Sequence, residues 1–275
     1  MSELPSVRIP DLHRASERPP SVDEIDFKSL YRKSTYEVQT ADDWTLVITR
    51  YQPVPQLFEQ PLFNEPLMLV HGFSQNRHAW TCGKFVKYLL WYGIDVHILE
   101  LRGHGKSSVK LQRQKAEQGG KLPADIDYAW DLDSYFLYDL PAAVAAVKRV
   151  TRRDKIFYCG HSMGGILGYG YAGLHDDLLG LITIGAPSDL GRDFPLLKAA
   201  SYMTPLAHLI DAMFYAQNVS AKARYGSRRA LRSLLSSIAF ARALAEQLEE
   251  EQEPVRKAFE YVPVDLILKQ TEKML

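Results

Sequence analysis

The spacing of apolar and polar residues predicts strands that alternate with helices through the middle of the chain. An antiparallel hairpin is expected first, because residues 36–40 and 44–51 alternate or are rich in strand-forming residues and a polar Ala-Asp-Asp turn separates them. Further strands are expected at 67–70, 94–99, 155–159 and 181–184, and helices at 79–92, 132–150 and 163–173. This alternation predicts a mainly parallel sheet with helices on both faces.

The regions on either side of this pattern differ from it. Residues 1–34 are polar and contain several prolines, so we expect an irregular N-terminal extension. Within the expected core, residues 35–190, a polar insert is predicted at about 109–123. Beyond the core the strand pattern stops, and the spacing of apolar residues predicts further helices.

Composition and charge add mainly exclusions. The 275 residues contain 33 Lys and Arg and 33 Asp and Glu, so the net charge is zero, which argues against a nucleic-acid partner. No apolar run reaches about 18 residues, so no transmembrane segment is expected, and the N-terminus has no signal-peptide pattern. The two cysteines, Cys82 and Cys159, form no disulfide framework, which favours a reducing, cytoplasmic location. No metal or cofactor is expected, because the histidines are scattered and neither cysteine has ligand spacing.

The strongest chemical signal is the pentapeptide Gly160-His161-Ser162-Met163-Gly164, which has the G-x-S-x-G pattern. It lies between an expected strand and an expected helix, where such a serine is exposed on a sharp turn. Side chains two positions before and after the serine would collide there, so Gly160 and Gly164 remove them, and Gly165 lets the helix approach the sheet. Ser162 is therefore the candidate catalytic nucleophile. The alternative is a glycine-rich turn with an ordinary solvent-exposed serine.

A second signal is His71-Gly72-Phe73, directly after the strand expected at 67–70. A backbone N–H at this position can point at the carbonyl oxygen of a substrate. The N–H groups of Phe73 and Met163 are therefore the candidate oxyanion hole, which would stabilise the negative oxygen of a tetrahedral intermediate. The alternative is an ordinary turn at the end of a strand.

The segment Arg102-Gly103-His104-Gly105-Lys106-Ser107 contains a Gly-Lys-Ser sequence like that of a phosphate-binding loop. Such a loop needs a glycine five positions before Gly105, and Glu100 stands there, so nucleotide binding is rejected. We expect the glycines to form a tight turn and Arg102 to make structural hydrogen bonds. His104 is not expected to act as a catalytic base.

With these motifs the chain resembles the α/β-hydrolase superfamily and, within it, the acid-lipase-like branch. The superfamily resemblance rests on the three motifs above, which occur in the expected order. The lipase resemblance rests on two segments, from residues 36–38 through 44–46 and from 130–132 through 138–142. The resemblance covers about residues 35–190 and implies the α/β-hydrolase fold, a serine nucleophile, an acyl-enzyme and carboxylic ester substrates. It also implies a helical cap, which residues 191–275 fit.

The chain departs from the family in the rest of the catalytic triad. The family's acid and histidine follow the nucleophile, yet only His175 and His208 come after Ser162, and neither follows an expected strand. His208 and the nearby Asp211 lie in an expected cap helix, so the triad acid and histidine are not found. The sequence is therefore expected to be an N-terminal fragment or a disrupted gene product, which lacks the last strand–helix units and is poorly active.

Three functions stay open at this point. The leading one is a serine hydrolase that cleaves carboxylic, lipid-like esters through an acyl-enzyme on Ser162. The second is an acyltransferase that uses the same nucleophile, and the third is a non-catalytic binding protein with this fold. A haloalkane or epoxide reaction would need an aspartate at position 162 and is disfavoured. The expected partner is a small-molecule ester or lipid, and no oligomeric state is predicted.

Overall fold

In the computed structural model, which describes residues 31–54 and 65–187, a long hairpin forms one edge of the sheet. Its strands, β1 (Tyr31–Gln39) and β2 (Thr45–Pro53), run antiparallel, as the sequence predicts. β1 begins at Tyr31, before the position where the sequence pattern placed the start of the core. The Thr40 hydroxyl accepts a hydrogen bond from the N–H of Trp44 at 2.9 Å and closes the turn.

Four shorter strands complete a six-stranded sheet within the described residues. They are β3 (Leu67–Val70), β4 (Val96–Glu100), β5 (Ile156–His161) and β6 (Leu178–Ile184). The strand order is β1-β2-β4-β3-β5-β6. β2 pairs antiparallel with β4, whereas the pairs β3–β4, β3–β5 and β5–β6 are parallel. The mainly parallel sheet is thus confirmed, and the carboxyl ends of β3, β4 and β5 meet at one end of it, where such sheets bind ligands.

The helices largely follow the predicted pattern. They are α1 (His78–Thr81), α2 (Phe85–Trp91), α3 (Val109–Glu117), α4 (Leu132–Ser134), α5 (Leu140–Thr151) and α6 (Met163–Leu174). The helix predicted at 79–92 is divided at residues 82–84, where Gly83 has poor helix propensity. The helix predicted at 132–150 contains a π-helical turn, Tyr135–Asp139, between α4 and α5.

The predicted polar insert contains a regular element, α3. The Ser108 hydroxyl caps this helix by accepting a hydrogen bond from the N–H of Leu111 at 3.2 Å. The buried Gln112 side chain then joins α3 to the hairpin, because its oxygen accepts from the Thr45 N–H and its NH₂ group donates to the Thr45 carbonyl, both at 2.9 Å. A cap and one tertiary contact therefore organise a segment whose polar composition did not predict a helix.

Two apolar cores cover the two faces of the sheet. Successive residues of β3 belong to different cores: Met68 lies in the larger one and Leu69 in the smaller one, as the alternation of side chains along a strand requires. The larger core contains Trp44 and Trp130, whose rings pack edge to face with centroids 5.2 Å apart. The central strands contribute side chains to both cores. Packing on both faces holds the ends of β3 and β5, where the candidate site lies.

Arg102 lies just after β4 and joins three segments of the chain. Its guanidinium contacts Asp139 at 2.7 Å, Asp42 at 2.6 Å and Asp125 at 2.9 Å. Arg102 and Asp139 are fully buried, whereas the other two carboxylates are partly exposed. The backbone N–H of Arg102 also donates to Asp139 at 3.0 Å. The structural hydrogen bonds predicted for Arg102 are confirmed, and Gly103 adopts φ +78°, as the predicted tight turn requires.

Some predictions lie outside the described residues. These are most of the N-terminal extension and the whole predicted cap, 191–275, with His208 and Asp211. Within residues 31–54 and 65–187, no helix has the length and apolar character needed to cross a membrane.

Candidate active site

Ser162 lies on the sharp turn between β5 and α6, as its motif predicts. Its backbone has φ +50° and ψ −120°, a conformation that residues other than glycine rarely adopt. The Ser162 N–H donates to the carbonyl of Ile184 in β6 at 2.9 Å, and the Ser162 carbonyl accepts from the N–H of Gly165 at 2.9 Å. These bonds hold the strained turn, which places a half-buried hydroxyl at the carboxyl end of β5.

The glycines of the motif are required by space, as predicted. A Cβ at Gly160 would lie 2.2 Å from the carbonyl oxygen of Gly164, and a Cβ at Gly164 would lie 2.4 Å from the carbonyl oxygen of Val70. At Gly165 it would lie 2.4 Å from the Cβ of Ala186. The first residues of α6 therefore pack directly against the end of β3 and the chain after β6.

Gly164→Ala is expected to lower the free energy of unfolding by about 3 kcal/mol, because its methyl group would overlap backbone atoms that cannot move independently. Gly173→Ala, in the same helix, is the matched control, since a Cβ there has no atom within 4 Å among the described residues. We expect the control to stabilise the protein by about 0.5–1 kcal/mol. Urea unfolding of both variants measures the difference, and similar values for the two would contradict the packing described above.

The loop after β3 lies against the nucleophile turn. A Cβ at Gly72 would lie 3.1 Å from the Cβ of Ser162, so the loop and the serine are in contact. Met163 is the first residue of α6, where an N–H has no acceptor within the helix. Within the described part of the chain, neither the Phe73 N–H nor the Met163 N–H donates a hydrogen bond. Two unused donors thus lie on segments that contact each other, and their role as an oxyanion hole stays a prediction.

His71 has a structural role in this arrangement. Its Nε2 accepts a hydrogen bond from the N–H of Leu101 at 3.2 Å, so the ring proton is on Nδ1, which lies 2.8 Å from the carbonyl oxygen of Gly72. Burial lowers the pKa of His71 to about 3, which keeps the ring neutral at physiological pH. His71 therefore connects the ends of β3 and β4 and shapes the loop that carries Phe73.

Two side chains that the sequence did not single out also hold the site. The Tyr158 hydroxyl donates to the carbonyl of Gly164 at 2.6 Å, within the larger core. Gln75 is buried, and its Oε1 accepts from the N–H of Gly72 at 2.9 Å and lies 3.0 Å from Nδ1 of His161. A tyrosine in a strand and a glutamine in a loop are ordinary in sequence, so no pattern indicated either contact.

The contacts described for His104 and His175 are with groups other than Ser162. Nδ1 of His104 lies 2.9 Å from the carbonyl oxygen of Arg102, and the ring packs against His71. His175 lies at the far end of α6, whose 12 residues span about 18 Å, and its ring stacks on Tyr171. The described residues also contain no group of three His, Cys, Asp or Glu side chains that could hold a metal ion.

Comparison with protein families identifies the family to which this fold and nucleophile turn correspond. The model of the alpha/beta hydrolase fold family matches residues 65–227, which include the loop after β3, the nucleophile turn and α6. The chain belongs to this family. The family predicted from the motifs is thus confirmed, and so is the fold class.

Two similar proteins carry lipase names. This α/β-hydrolase is 27% identical over 183 residues to a probable lipase of Schizosaccharomyces pombe, covering 64% of this chain and 38% of the lipase. It is 24% identical over 155 residues to a putative lysosomal acid lipase/cholesteryl ester hydrolase of Crotalus adamanteus, covering 54% and 36%. The chain therefore spans less than two-fifths of the length of these relatives.

A solved structure supports the fold. A highly thermostable carboxyl esterase from Bacillus coagulans, crystallised with glycerol, superimposes with a TM-score of 0.50 at 17% identity. The match covers 89% of this chain and 72% of the esterase. At this identity the likeness bears on the fold alone.

Proposed function

We propose that this protein is a serine hydrolase that cleaves carboxylic esters through an acyl-enzyme on Ser162. The observation that carries the proposal is the strained backbone of Ser162, φ +50°, beside two N–H groups without acceptors in the described chain. Strain of this kind is retained where it serves a mechanism, and here it presents a hydroxyl at the ligand-binding end of the sheet.

In the proposed reaction the Ser162 Oγ attacks the ester carbonyl carbon while a histidine accepts the hydroxyl proton. The carbonyl oxygen becomes negative and is stabilised by the N–H groups of Phe73 and Met163 and by the N-terminus of α6. Collapse of this intermediate expels the alcohol, which takes the proton from the histidine. Water then attacks the acyl-enzyme in the same way and releases the carboxylic acid and Ser162. The histidine and its orienting acid are supplied from outside the described residues.

The proposed substrates are lipid-like esters. The support comes from the relatives, of which one is a probable lipase and another a putative lysosomal acid lipase/cholesteryl ester hydrolase. Because the chain spans only part of these relatives, the activity of the whole protein is part of the proposal. The 275 residues alone are expected to turn over slowly, since His175 is displaced by the length of α6 and His208 lies in a predicted cap helix.

Covalent labelling tests the proposal. A p-nitrophenyl alkylphosphonate is incubated with the protein isolated from its native source, and the modified peptide is identified by mass spectrometry. We expect one phosphonyl group on Ser162, with release of p-nitrophenol. Ser107 is the internal control, because its buried hydroxyl donates to the carbonyl of Glu100 and it should stay unlabelled.

Each other outcome identifies an alternative. No labelling of folded protein would support a non-catalytic binding protein and overturn the proposal. Labelling of Ser162 together with transfer of an acyl group to an added alcohol, in preference to water, would identify an acyltransferase. Gas chromatography of the products from a short-chain and a long-chain ester distinguishes the two acceptors and gives the preferred acyl length.

A further inference from the structure

The two candidate oxyanion donors come from different parts of the chain, and one side chain bridges those parts. Phe73 lies in the loop after β3, whereas Met163 begins α6, so the covalent chain does not fix the distance between their N–H groups. We propose that Gln75 is a positioning residue, whose side-chain oxygen holds the Phe73 N–H in place beside Ser162. The proposal rests on the function proposed above.

A single oxygen atom contacts both segments. The Gln75 Oε1 accepts from the N–H of Gly72 at 2.9 Å, and it lies 3.0 Å from Nδ1 of His161. Gly72 directly precedes Phe73, and His161 directly precedes Ser162. The backbone N–H of Gln75 also donates to the carbonyl of Gly72 at 3.3 Å, which closes a tight turn. The oxygen therefore contacts the residue next to Phe73, a candidate oxyanion donor, and the residue next to Ser162, the candidate nucleophile.

The contacts also fix the proton on His161. A backbone N–H can only donate, so the Gln75 atom that faces Gly72 is the carbonyl oxygen, and this oxygen can only accept. Nδ1 of His161 must then carry the hydrogen, which leaves Nε2 without one. Burial lowers the pKa of His161 and keeps the ring neutral, in agreement with this assignment.

The loop has little freedom to move without disturbing the site. Ser74 adopts φ +53°, so the turn between Phe73 and Gln75 is strained and needs support from its neighbours. A Cβ at Gly72 would lie 3.1 Å from the Cβ of Ser162, so the loop is already in contact with the nucleophile. A displacement of about 1 Å in such a site can cost about a hundredfold in rate. Loss of the Gln75 oxygen removes the hydrogen bond between this loop and the residue that precedes Ser162.

The first test replaces the oxygen. Gln75→Met keeps the length of the side chain but cannot accept either hydrogen bond. In the protein isolated as the active enzyme, we expect kcat to fall about 10- to 100-fold while KM changes less than about twofold, because the loss falls on the transition state. Gln75→Glu keeps an accepting oxygen and is expected to recover most of kcat. Its carboxylate should also raise the pKa of His161, which a pH profile and ring-nitrogen NMR both detect.

Gln112→Met is the matched control. Gln112 is as deeply buried and also bonds backbone groups, at Thr45, but it belongs to the contact between α3 and the hairpin. We expect this variant to lose stability with kcat unchanged. Equal losses of kcat in the two methionine variants, or full kcat in Gln75→Met, would overturn the positioning role.

Ring-nitrogen NMR of His161 separates this inference from the proposed function. In the unmodified protein we expect the hydrogen on Nδ1, and in Gln75→Met a redistribution towards Nε2. A hydrogen on Nε2 in the unmodified protein would overturn the bridge, whatever the activity. If the unmodified protein neither hydrolyses esters nor reacts with the phosphonate, the proposed function fails, and hydrogen on Nδ1 would still support the bridge between the two segments.

Discussion

In the active enzyme, which includes the histidine that accepts the Ser162 proton, Ser162→Ala is expected to reduce kcat/KM for ester hydrolysis by at least about 10⁴-fold, because the acyl-enzyme can no longer form. Only the contribution of the oxyanion hole and of substrate binding would remain. The fold should be retained, since the Ser162 side chain caps no helix N–H and makes no hydrogen bond within the described residues. Initial rates with p-nitrophenyl esters give the activity, and thermal unfolding shows whether the variant is folded.

Ser108→Ala is a suitable control for that measurement. It removes a serine hydroxyl that caps α3 and should therefore cost about 1 kcal/mol of stability without changing hydrolysis. A folded Ser162→Ala variant that keeps more than about a tenth of the activity would show that another group is the nucleophile.

Arg102→Ala is expected to lower the free energy of unfolding by about 3–5 kcal/mol, because it leaves the fully buried Asp139 without its charged partner. Asp42 and Asp125 lose the same partner but are partly exposed and can be hydrated. Arg102→Lys should recover little, since an ammonium group cannot contact three carboxylates in the planar arrangement of a guanidinium. Urea unfolding measures both variants.

The effect of Arg102→Ala should also depend on pH. Burial raises the pKa of Asp139 to about 6 even beside Arg102, so this carboxyl is ionised and paired in the folded protein above that pH. Without Arg102 the folded-state pKa rises further, while the unfolded value does not. An acid whose folded pKa is raised stabilises the fold at low pH and loses that contribution as pH rises. The loss of stability should therefore be larger at pH 8 than at pH 5.

Arg113→Ala provides the matched control for Arg102→Ala. Its ion pair with Asp127 joins two strongly exposed side chains at 3.1 Å. Such a pair contributes little in water, so we expect a change within about 0.5 kcal/mol and no dependence on pH. If the two arginine variants lost similar amounts of stability, the buried ion pairs of Arg102 would contribute no more to the free energy of unfolding than an exposed pair.

The sequence predicted most of the sheet because its signals are local. The apolar run Leu67–Val70 and the pattern that precedes Gly160 indicate buried strands by themselves, and the glycines around Ser162 indicate the sharp turn. The division of the first predicted helix near Gly83 and the π-helical turn Tyr135–Asp139 were not predicted. Apolar spacing at 3.6 residues does not distinguish either case from a continuous α-helix.

The contacts that support the site were beyond sequence reasoning for a different reason. Gln75 meets His161 across 86 positions of the chain, and Arg102 meets Asp42 across 60. No sequence spacing predicts either contact, because the order of strands in the sheet determines which loops become neighbours. The motif residues Phe73, Ser162 and Met163 were singled out from position alone, whereas the contacts of Gln75 and Tyr158 with neighbouring residues became visible only in the folded chain.

The Arg102 cluster has a consequence for how the protein opens. Its three carboxylates belong to the turn of the first hairpin, to the loop before Trp130 and to the helical segment that begins α5. None of these segments can separate from the sheet without exposing the same guanidinium. Their amide protons should therefore exchange with solvent through one shared opening event, and the hairpin, although it lies at the edge of the sheet, should behave as part of a single cooperative unit.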